Sequence, residues 1–251
     1  MPLHTERRGH GPPLVLVHGF TQTCRCWGPE ADALARDHAL ICVDAPGHGR
    51  SGTTVGSLED GARRIGEQSG EATYVGYSMG ARYALHVALA HAELVRGLVL
   101  LGGTAGIEDA AERAARQDQD RRTAARLEAK GLEQFLDDWL RQPLFARLPP
   151  ERSFRRERLR NTVAGLRASL EQAGTGSQTP SWQQLGDLTM PVLVMAGARD
   201  EKFAALATRI VGGIGTNAQL ALIEGAGHAA HLEQPDGFLA AIQPWLADHG
   251  L

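Results

Sequence analysis

The feature that most constrains this chain is the segment from Ala72 to Arg82, which has the pattern of a β-strand, a tight turn and a helix. A β-branched and aromatic run ends at Gly76, Ser78 follows, and Gly80 completes the pattern Gly-X-Ser-X-Gly before an apolar stretch at helical spacing. The five-residue pattern recurs by chance, so the flanking strand and helix support the interpretation. A serine on such a turn is held out of the sheet with its hydroxyl exposed. The segment therefore predicts a nucleophile elbow at Ser78.

Short apolar strands alternate with helical patterns on both sides of this segment. The other predicted strands cover residues 14–17, 39–43, 98–101, 192–195 and 219–223, and predicted helices cover residues 29–36, 58–68 and 234–246, with another beginning at Glu201. Such alternation is typical of an α/β protein with a mostly parallel central sheet and helices on both faces. Active sites in these proteins lie beyond the carboxyl ends of the strands, which is the edge where the elbow is expected.

Residues 107–180 interrupt the alternation. They have helical patterns and no convincing strand pattern, and residues 174–180 supply the turn-forming side chains that return the chain to the sheet. We therefore expect an α/β core in two parts, residues 1–106 and 181–251, with a helical lid over residues 107–180. The lid would leave the sheet at the edge that carries Ser78 and could cover it. A detached helical domain is the alternative.

Composition limits the partners of such a core. The chain has 251 residues, of which 43% are hydrophobic, and this is enough for one large core. Its 26 basic and 29 acidic side chains nearly balance, so no basic field indicates a nucleic acid partner. No run of about 18 apolar residues occurs, and no long apolar stretch follows the N-terminal charges. We therefore expect a cytoplasmic protein with no membrane partner.

The cysteines do not indicate a metal site. They are Cys24, Cys26 and Cys42, an odd number, and the spacing of the first two has no matching histidine or cysteine cluster for zinc. We therefore expect free thiols and no metal.

A serine nucleophile needs a histidine base and usually a carboxylate that orients it. On this topology the expected order is serine, acid, histidine. Asp200 follows the strand at 192–195, and His228 follows the last strand, so both should arrive at the edge that carries Ser78. His231 is the competing base, but it falls where the next helix begins, and the other histidines are interpreted as surface or packing residues. Asp44 precedes the serine and is expected to organise the turn that follows it.

The segment His18-Gly19-Phe20 follows the first predicted strand and supplies backbone N–H groups for a developing oxyanion. We expect the N–H of Phe20 to pair with the N–H of Met79 as an oxyanion hole. Such preorganised donors contribute roughly 3 to 4 kcal/mol each in acyl transfer.

Taken together, these motifs resemble the α/β-hydrolase superfamily over nearly the whole length of the chain. The ordered matches are the His18-Gly19 loop, Asp44 to Ser51, the elbow, Gly197 to Asp200 and Gly225 to His228. The resemblance implies an α/β-hydrolase fold with a helical lid. It does not fix the reaction, because the superfamily contains esterases, carbon-carbon hydrolases, dehalogenases, lyases and receptors.

Within that superfamily the chain resembles the 2-succinyl-6-hydroxy-2,4-cyclohexadiene-1-carboxylate synthases of menaquinone biosynthesis. The segments that support this are Gly76 to Arg82, Trp139 to Phe145, Arg199 to Leu206 and Gly225 to His231. The resemblance implies a lyase that eliminates pyruvate from 2-succinyl-5-enolpyruvyl-6-hydroxy-3-cyclohexene-1-carboxylate, with no cofactor.

A substrate with several carboxylates requires cations in the pocket. Arg82 lies four residues after Ser78 and shares its helix face. By local match to the family, Arg121 and Arg160 of the lid are the further expected arginines, and guanidinium groups hold carboxylates bidentately. Tyr77 and Trp139 could line the pocket or serve as aromatic packing; these five side chains are the expected substrate-binding residues.

The expected mechanism is proton abstraction from the substrate ring by Ser78, made basic by His228 and Asp200. Hydrolysis of an ester or a carbon-carbon bond in a small acidic substrate is the alternative, since the same triad serves both. A ligand receptor or scaffold without turnover is a third possibility, against which the intact triad argues. The expected partner is a small anionic substrate, and the expected state is a monomer or a small homo-oligomer.

Overall fold

A computed structural model describes residues 2–251, and within them seven strands form one sheet. The strands are β1 (Thr5–Arg8), β2 (Pro13–Val17), β3 (Ala39–Val43), β4 (Ala72–Tyr77), β5 (Val95–Leu101), β6 (Val192–Gly197) and β7 (Ala218–Ile223). Their spatial order is β1-β3-β2-β4-β5-β6-β7. All neighbours are parallel except β1, which runs antiparallel to β3. The predicted mostly parallel sheet is confirmed.

Strand β1 was not predicted. Its sequence, Thr-Glu-Arg-Arg, has no apolar side chain, and it lies at one edge of the sheet with Arg7 and Arg8 exposed. It forms because its backbone pairs with β3, in a register that places Thr5 opposite Val43. A side-chain pattern cannot reveal a strand of this kind.

Helices cover both faces of the sheet. They are α1 (Gly28–Leu34), α2 (Leu58–Ser69), α3 (Met79–Ala90), α4 (Ala110–Leu140), α5 (Arg155–Arg158), α6 (Val163–Ala173), α7 (Glu201–Ile214), α8 (Ala230–Glu233) and α9 (Pro235–Asp248). Along β2, Leu14 and Leu16 join an apolar cluster with α1 and α9, whereas Val15 and Val17 join a cluster with α2, α3 and α7. This alternation follows from the two-residue period of a strand.

The helix boundaries differ in detail from the predicted ones. The helix predicted over residues 29–36 is α1 and ends at Leu34, and the helix predicted over residues 234–246 begins at Pro235, preceded by the single turn α8. Within residues 2–251 no helix combines the length and the apolar composition needed to cross a membrane.

The segment between β5 and β6 has helices but no strand in its described residues. Helix α4 bends at Gly131, whose φ of 75° joins two helical pieces. A small apolar cluster of Leu127, Phe135 and Leu166 lies inside this segment, and Phe20 of the sheet edge packs against it. The helical segment, residues 107–180, therefore contacts the loops at the carboxyl edge of the sheet.

Candidate active site

Ser78 lies between β4 and α3 with a φ of 52°, a left-handed conformation that is rare for a residue with a side chain. The neighbouring glycines are required by close backbone approach. A Cβ atom on Gly76 would lie 2.3 Å from the carbonyl oxygen of Gly80, and one on Gly80 would lie 1.9 Å from the carbonyl oxygen of Val17. The strained turn therefore packs directly against β2 and holds a partly exposed serine beyond the sheet edge.

A hydrogen-bonded chain joins Ser78 to two later loops. The Oγ atom of Ser78 lies 3.0 Å from Nε2 of His228, and Nδ1 of His228 lies 2.7 Å from Oδ2 of Asp200. Because a carboxylate only accepts, the hydrogen-bond network assigns the proton to Nδ1 and leaves Nε2 free to accept the serine proton. The structure thus brings together the three residues that the sequence nominates as a triad.

Asp200 has a second task. Its Oδ1 atom accepts the backbone N–H of Phe203 at 3.4 Å, so the same side chain caps the start of α7. The ring of Phe203 lies 4.4 Å, between ring centroids, from His228. The cap therefore fixes the carboxylate of Asp200 and also places the ring of Phe203 against His228.

The sequence did not indicate Glu233, which fixes the histidine loop. Its carboxylate is buried, and it accepts the N–H of Gly227 at 2.5 Å and the N–H of Ala229 at 2.9 Å, one on each side of His228. No motif marks this residue; the only signal is an acidic residue at the end of the short helix that follows the loop.

The competing histidine, His231, is a packing residue. Its ring lies between those of Tyr77, at 4.4 Å, and Trp27, at 4.9 Å between centroids. Burial, and after it the positive charge of Arg158, lowers the pKa of His231 to about 3. It therefore stays neutral at physiological pH and lies behind Tyr77 in the core.

Asp44 organises the turn that follows β3, as the sequence indicates. Its carboxylate accepts the N–H groups of Cys24 and Arg50, at 2.7 and 2.8 Å, and its carbonyl accepts the hydroxyl of Ser51 at 2.5 Å. Burial raises its pKa, but His18 and these hydrogen bonds outweigh burial and hold the pKa below its usual value. Asp44 therefore serves as a buried structural anion rather than as a partner of His228.

The turn from Gly19 to Gln22 carries one expected oxyanion donor. The N–H of Gly19 is bound by the side-chain oxygen of Gln22 at 2.9 Å, and the N–H of Gln22 returns to the carbonyl of Gly19 at 3.1 Å. Among residues 2–251, no hydrogen-bond acceptor contacts the N–H of Phe20 or that of Met79, the first residue of α3. Both expected donors thus have no acceptor among the described residues, and the second lies at a helix N-terminus, which favours an anion.

Arg82 is buried one turn behind Ser78, with only 7% of its surface exposed. It donates to the carbonyl of Ala173, the last residue of α6, at 2.9 Å. Burial is the main cause that lowers the pKa of Arg82 to about 10; the charge of Arg116 acts in the same direction, whereas Tyr83 and Asp120 oppose it. Arg82 forms no ion pair with any described residue, and its one printed hydrogen bond goes to a backbone carbonyl.

The assignment of Arg121 as a substrate ligand stays a prediction. Its side chain is 55% exposed and pairs with Asp118 on its own helix. The cation of α4 whose charge acts on Arg82 is instead Arg116, which is held at 2.8 Å by the buried Asp120. Residues 116 and 121 are five positions apart, about 500° of rotation, so they point to different sides of the helix.

Arg160 is also exposed, and it pairs with Glu157 at 3.3 Å. The structure does not bring its side chain to Ser78, and its assignment as a substrate ligand stays a prediction.

The two predicted aromatic residues contact different parts of the site. Tyr77 packs beneath His228, with ring centroids 5.5 Å apart. Trp139 contacts the ring of Phe20 at 5.1 Å, and its indole N–H, although buried, has no acceptor among residues 2–251. The contact between Trp139 and Phe20 therefore joins the helical segment to the turn from Gly19 to Gln22, called the oxyanion turn below for its expected role.

One group of possible metal ligands lies elsewhere. His4, Glu6 and Cys24 each place one possible ligand atom within 4.8 Å of the others. Glu6 is already paired with Arg25 at 2.8 Å, and burial, followed by the charge of Asp44, raises the pKa of the Cys24 thiol. A nearby cation and a thiol held protonated both disfavour a metal ion there.

Comparison with known proteins agrees with this geometry. Residues 14–241 match the alpha/beta hydrolase family. A 2-succinyl-6-hydroxy-2,4-cyclohexadiene-1-carboxylate synthase from Escherichia coli is 34% identical over 256 residues, covering 96% of this chain and 98% of the relative.

Two solved structures are also similar. MenH from S. aureus superposes with a TM-score of 0.90 at 27% identity, covering 99% of both chains. A malate-bound thermophilic esterase from Thermogutta terrifontis has a TM-score of 0.83 at 26% identity, covering 98% of this chain and 93% of the esterase. Since the family match spans most of the chain and a relative above 30% identity spans nearly all of it, this chain belongs to the alpha/beta hydrolase family.

Proposed function

We propose that this protein is a lyase that eliminates pyruvate from 2-succinyl-5-enolpyruvyl-6-hydroxy-3-cyclohexene-1-carboxylate. The observation that carries the proposal is the combination of a hydrogen-bonded Ser78-His228 couple, 3.0 Å apart, with a buried Arg82 that begins one helical turn after Ser78 and forms no ion pair with a described residue. The similarity to the Escherichia coli synthase supports the same reaction.

In the proposed reaction Ser78 transfers a proton and forms no acyl intermediate. His228 accepts the hydroxyl proton as Ser78 Oγ takes a proton from the substrate ring, and Asp200 stabilises the imidazolium that results. The electron pair of the broken C–H bond forms a ring double bond, and the C–O bond to the enolpyruvyl group breaks. Enolpyruvate leaves, takes up the proton and becomes pyruvate.

Negative charge that develops on a substrate carboxylate during proton removal would be held by the free N–H groups of Phe20 and Met79. Arg82 and Arg116 would bind the carboxylates of the substrate, because guanidinium groups match them with paired hydrogen bonds. These two arginines come from the core and the helical segment respectively. We therefore propose that the helical segment is the lid of the site and supplies part of its charge.

A second candidate function is hydrolysis of a carboxylic ester with an acidic group. The malate-bound esterase among the similar structures favours keeping this candidate, since malate is a small dicarboxylate. The same triad and oxyanion donors would then act on a carbonyl carbon that Ser78 attacks.

Pyruvate release measured with lactate dehydrogenase and NADH tests the proposal. We expect turnover of the cyclohexene substrate by the wild-type protein and a loss of at least about 10³-fold in kcat in Ser78→Ala. Hydrolysis of 4-nitrophenyl butyrate by the same preparations separates the two candidates. Fast ester hydrolysis without pyruvate release would contradict the proposed lyase function and support the esterase function.

We further propose that the enzyme acts in the cytoplasm on a small anionic substrate. The three cysteines are buried and unpaired, as expected where thiols stay reduced.

A further inference from the structure

The oxyanion turn contains an unfavourable backbone conformation. Gly19 and Gln22 close a β-turn, and Thr21, its third residue, has a φ of 67°. A turn of this kind favours glycine or asparagine at that position, because a side chain branched at Cβ crowds the backbone when φ is positive. A threonine there persists only where surrounding contacts determine the conformation.

Arg158 of the helical segment supplies the first of these contacts. Its guanidinium donates to the hydroxyl of Thr21 and, at 3.4 Å, to the carbonyl of Phe20, while Nε donates to the carbonyl of Ser153 at 2.7 Å. The side chain is 1% exposed and forms no ion pair with a described carboxylate. A buried cation that is satisfied by carbonyl and hydroxyl oxygens, without an acid, is costly for a fold.

Asn161, one turn later, supplies the second contact. Its amide nitrogen donates to the carbonyl of Thr21 at 2.6 Å and to that of Arg158 at 2.9 Å, and its oxygen accepts the N–H of Gly49 at 2.8 Å. Both amide hydrogens and the carbonyl of a 5% exposed side chain are thus used. Asn161 joins three segments that are 28 residues or more apart in sequence.

Arg158 and Asn161 both form hydrogen bonds with the backbone and side chain around the Phe20–Thr21 peptide. They bind its carbonyl, the side chain of Thr21 and the carbonyl of Thr21, and they hold the turn in the orientation that leaves the N–H of Phe20 without a protein acceptor. The Phe20 ring is held independently, 5.6 Å from His48 and 5.1 Å from Trp139.

We propose that Arg158 and Asn161 are positioning residues that fix Thr21 in its left-handed conformation and thereby aim the N–H of Phe20 at the anion formed beside Ser78. The oxyanion hole is then complete only when the helical segment is docked. This inference rests on the proposed function only in requiring an anion at Ser78, and the elimination and the ester hydrolysis both provide one.

The test uses two readouts on the full chain. The first is kcat and KM for pyruvate release. The second is the rate at which a fluorophosphonate labels Ser78, because its P=O group occupies the oxyanion hole whatever the natural substrate is. Thermal unfolding of each variant measures structural damage separately.

We expect Asn161→Ala and Arg158→Met to lower kcat and the labelling rate roughly 10- to 100-fold, with KM changed less than about threefold, because donor alignment matters in the transition state. Arg156→Ala, at an exposed arginine of the same helix, is the matched control and should leave both rates unchanged.

Adding Thr21→Gly to Asn161→Ala best distinguishes a positioning role of Asn161 from a purely structural one. Glycine adopts a positive φ without strain, so the turn no longer needs the amide, and we expect the double variant to recover at least about threefold in labelling rate over Asn161→Ala. A purely structural role for Asn161 predicts no recovery.

The inference is overturned if both single variants label Ser78 at the wild-type rate, if their loss lies in KM alone, if Thr21→Gly gives no recovery, or if the wild-type serine is not labelled. A wild-type protein that is labelled but releases no pyruvate contradicts the proposed function instead, and the labelling rates still decide the role of Arg158 and Asn161.

Discussion

One carboxylate oxygen of Asp200 lies 2.7 Å from Nδ1 of His228, while the other accepts the N–H of Phe203, the third residue of α7. The carboxylate therefore cannot rotate without losing a helix cap, and this locks the imidazole in the tautomer whose Nε2 faces Ser78. Orientation of the His228 imidazole is thus built into the start of a helix.

Replacing Asp200 by Asn should lower kcat by about 10⁴-fold, because an amide that donates toward Nδ1 favours the tautomer with the proton on the wrong nitrogen. Pyruvate release measures the loss, and circular dichroism checks the fold. Glu201→Gln removes an equal charge at the exposed neighbouring position and should retain wild-type kcat. Full activity in Asp200→Asn would exclude the triad role.

Gly80→Ala should prevent folding of the elbow. The new Cβ would lie 1.9 Å from the Val17 carbonyl oxygen, in a parallel sheet that cannot move apart locally. We expect a free energy of unfolding lowered by about 3 kcal/mol or more, measured by urea denaturation.

The matched change is Gly212→Ala in α7, where no atom lies within 4 Å of the added Cβ. Alanine restricts the unfolded chain and suits a helix, so this variant should gain about 0.4 to 1 kcal/mol. Equal effects of the two substitutions would contradict the close approach of Gly80 to β2.

Arg82→Met should weaken substrate binding. The loss of a charge-assisted contact to a carboxylate corresponds to roughly 10- to 100-fold in kcat/KM for pyruvate release. Arg121→Met removes the same charge from the exposed Asp118 pair and should change kcat/KM less than about twofold. If Arg121→Met were the more damaging change, the assignment of Arg116 and Arg82 as the pocket cations would be wrong.

His231 should make the protein less stable in mild acid. Its pKa is lowered to about 3 in the folded chain, whereas an unfolded histidine protonates near pH 6.5, about the usual value for the side chain. Below that pH the unfolded state binds a proton that the folded state does not, so stability falls between about pH 6.5 and 3.

Urea denaturation at pH 7 and pH 5 measures this effect. In His231→Leu the loss of unfolding free energy between these pH values should be about 2 kcal/mol smaller than in the wild type. His10→Leu, at an exposed histidine, is the control for removing one imidazole. Identical losses in wild type and His231→Leu would show that this ring is not neutral in the folded state.

The sequence contained the fold and the positions of the three hydrogen-bonded residues. Apolar strands that alternate with helices predict a parallel sheet. The loops that follow parallel strands all lie at the same edge of the sheet, so the loops of Ser78, Asp200 and His228 are expected to meet there. Local patterns suffice for this because strand period and turn chemistry are properties of neighbouring residues. Strand β1 could not be predicted in this way, because its side chains are all polar and the strand forms by backbone pairing with β3.

Only the tertiary structure shows which polar side chains lie near the carboxyl edge of the sheet. Sequence could not show that Arg116, and not Arg121, lies near Arg82, because the direction in which a helix faces depends on what it packs against. Nor could it reveal Glu233 beside the histidine loop, or Arg158 and Asn161 on the oxyanion turn, whose partners lie as far as 140 positions away in the chain. Hydrogen bonds over such separations follow from the packing of the helical segment on the sheet, which no local pattern encodes.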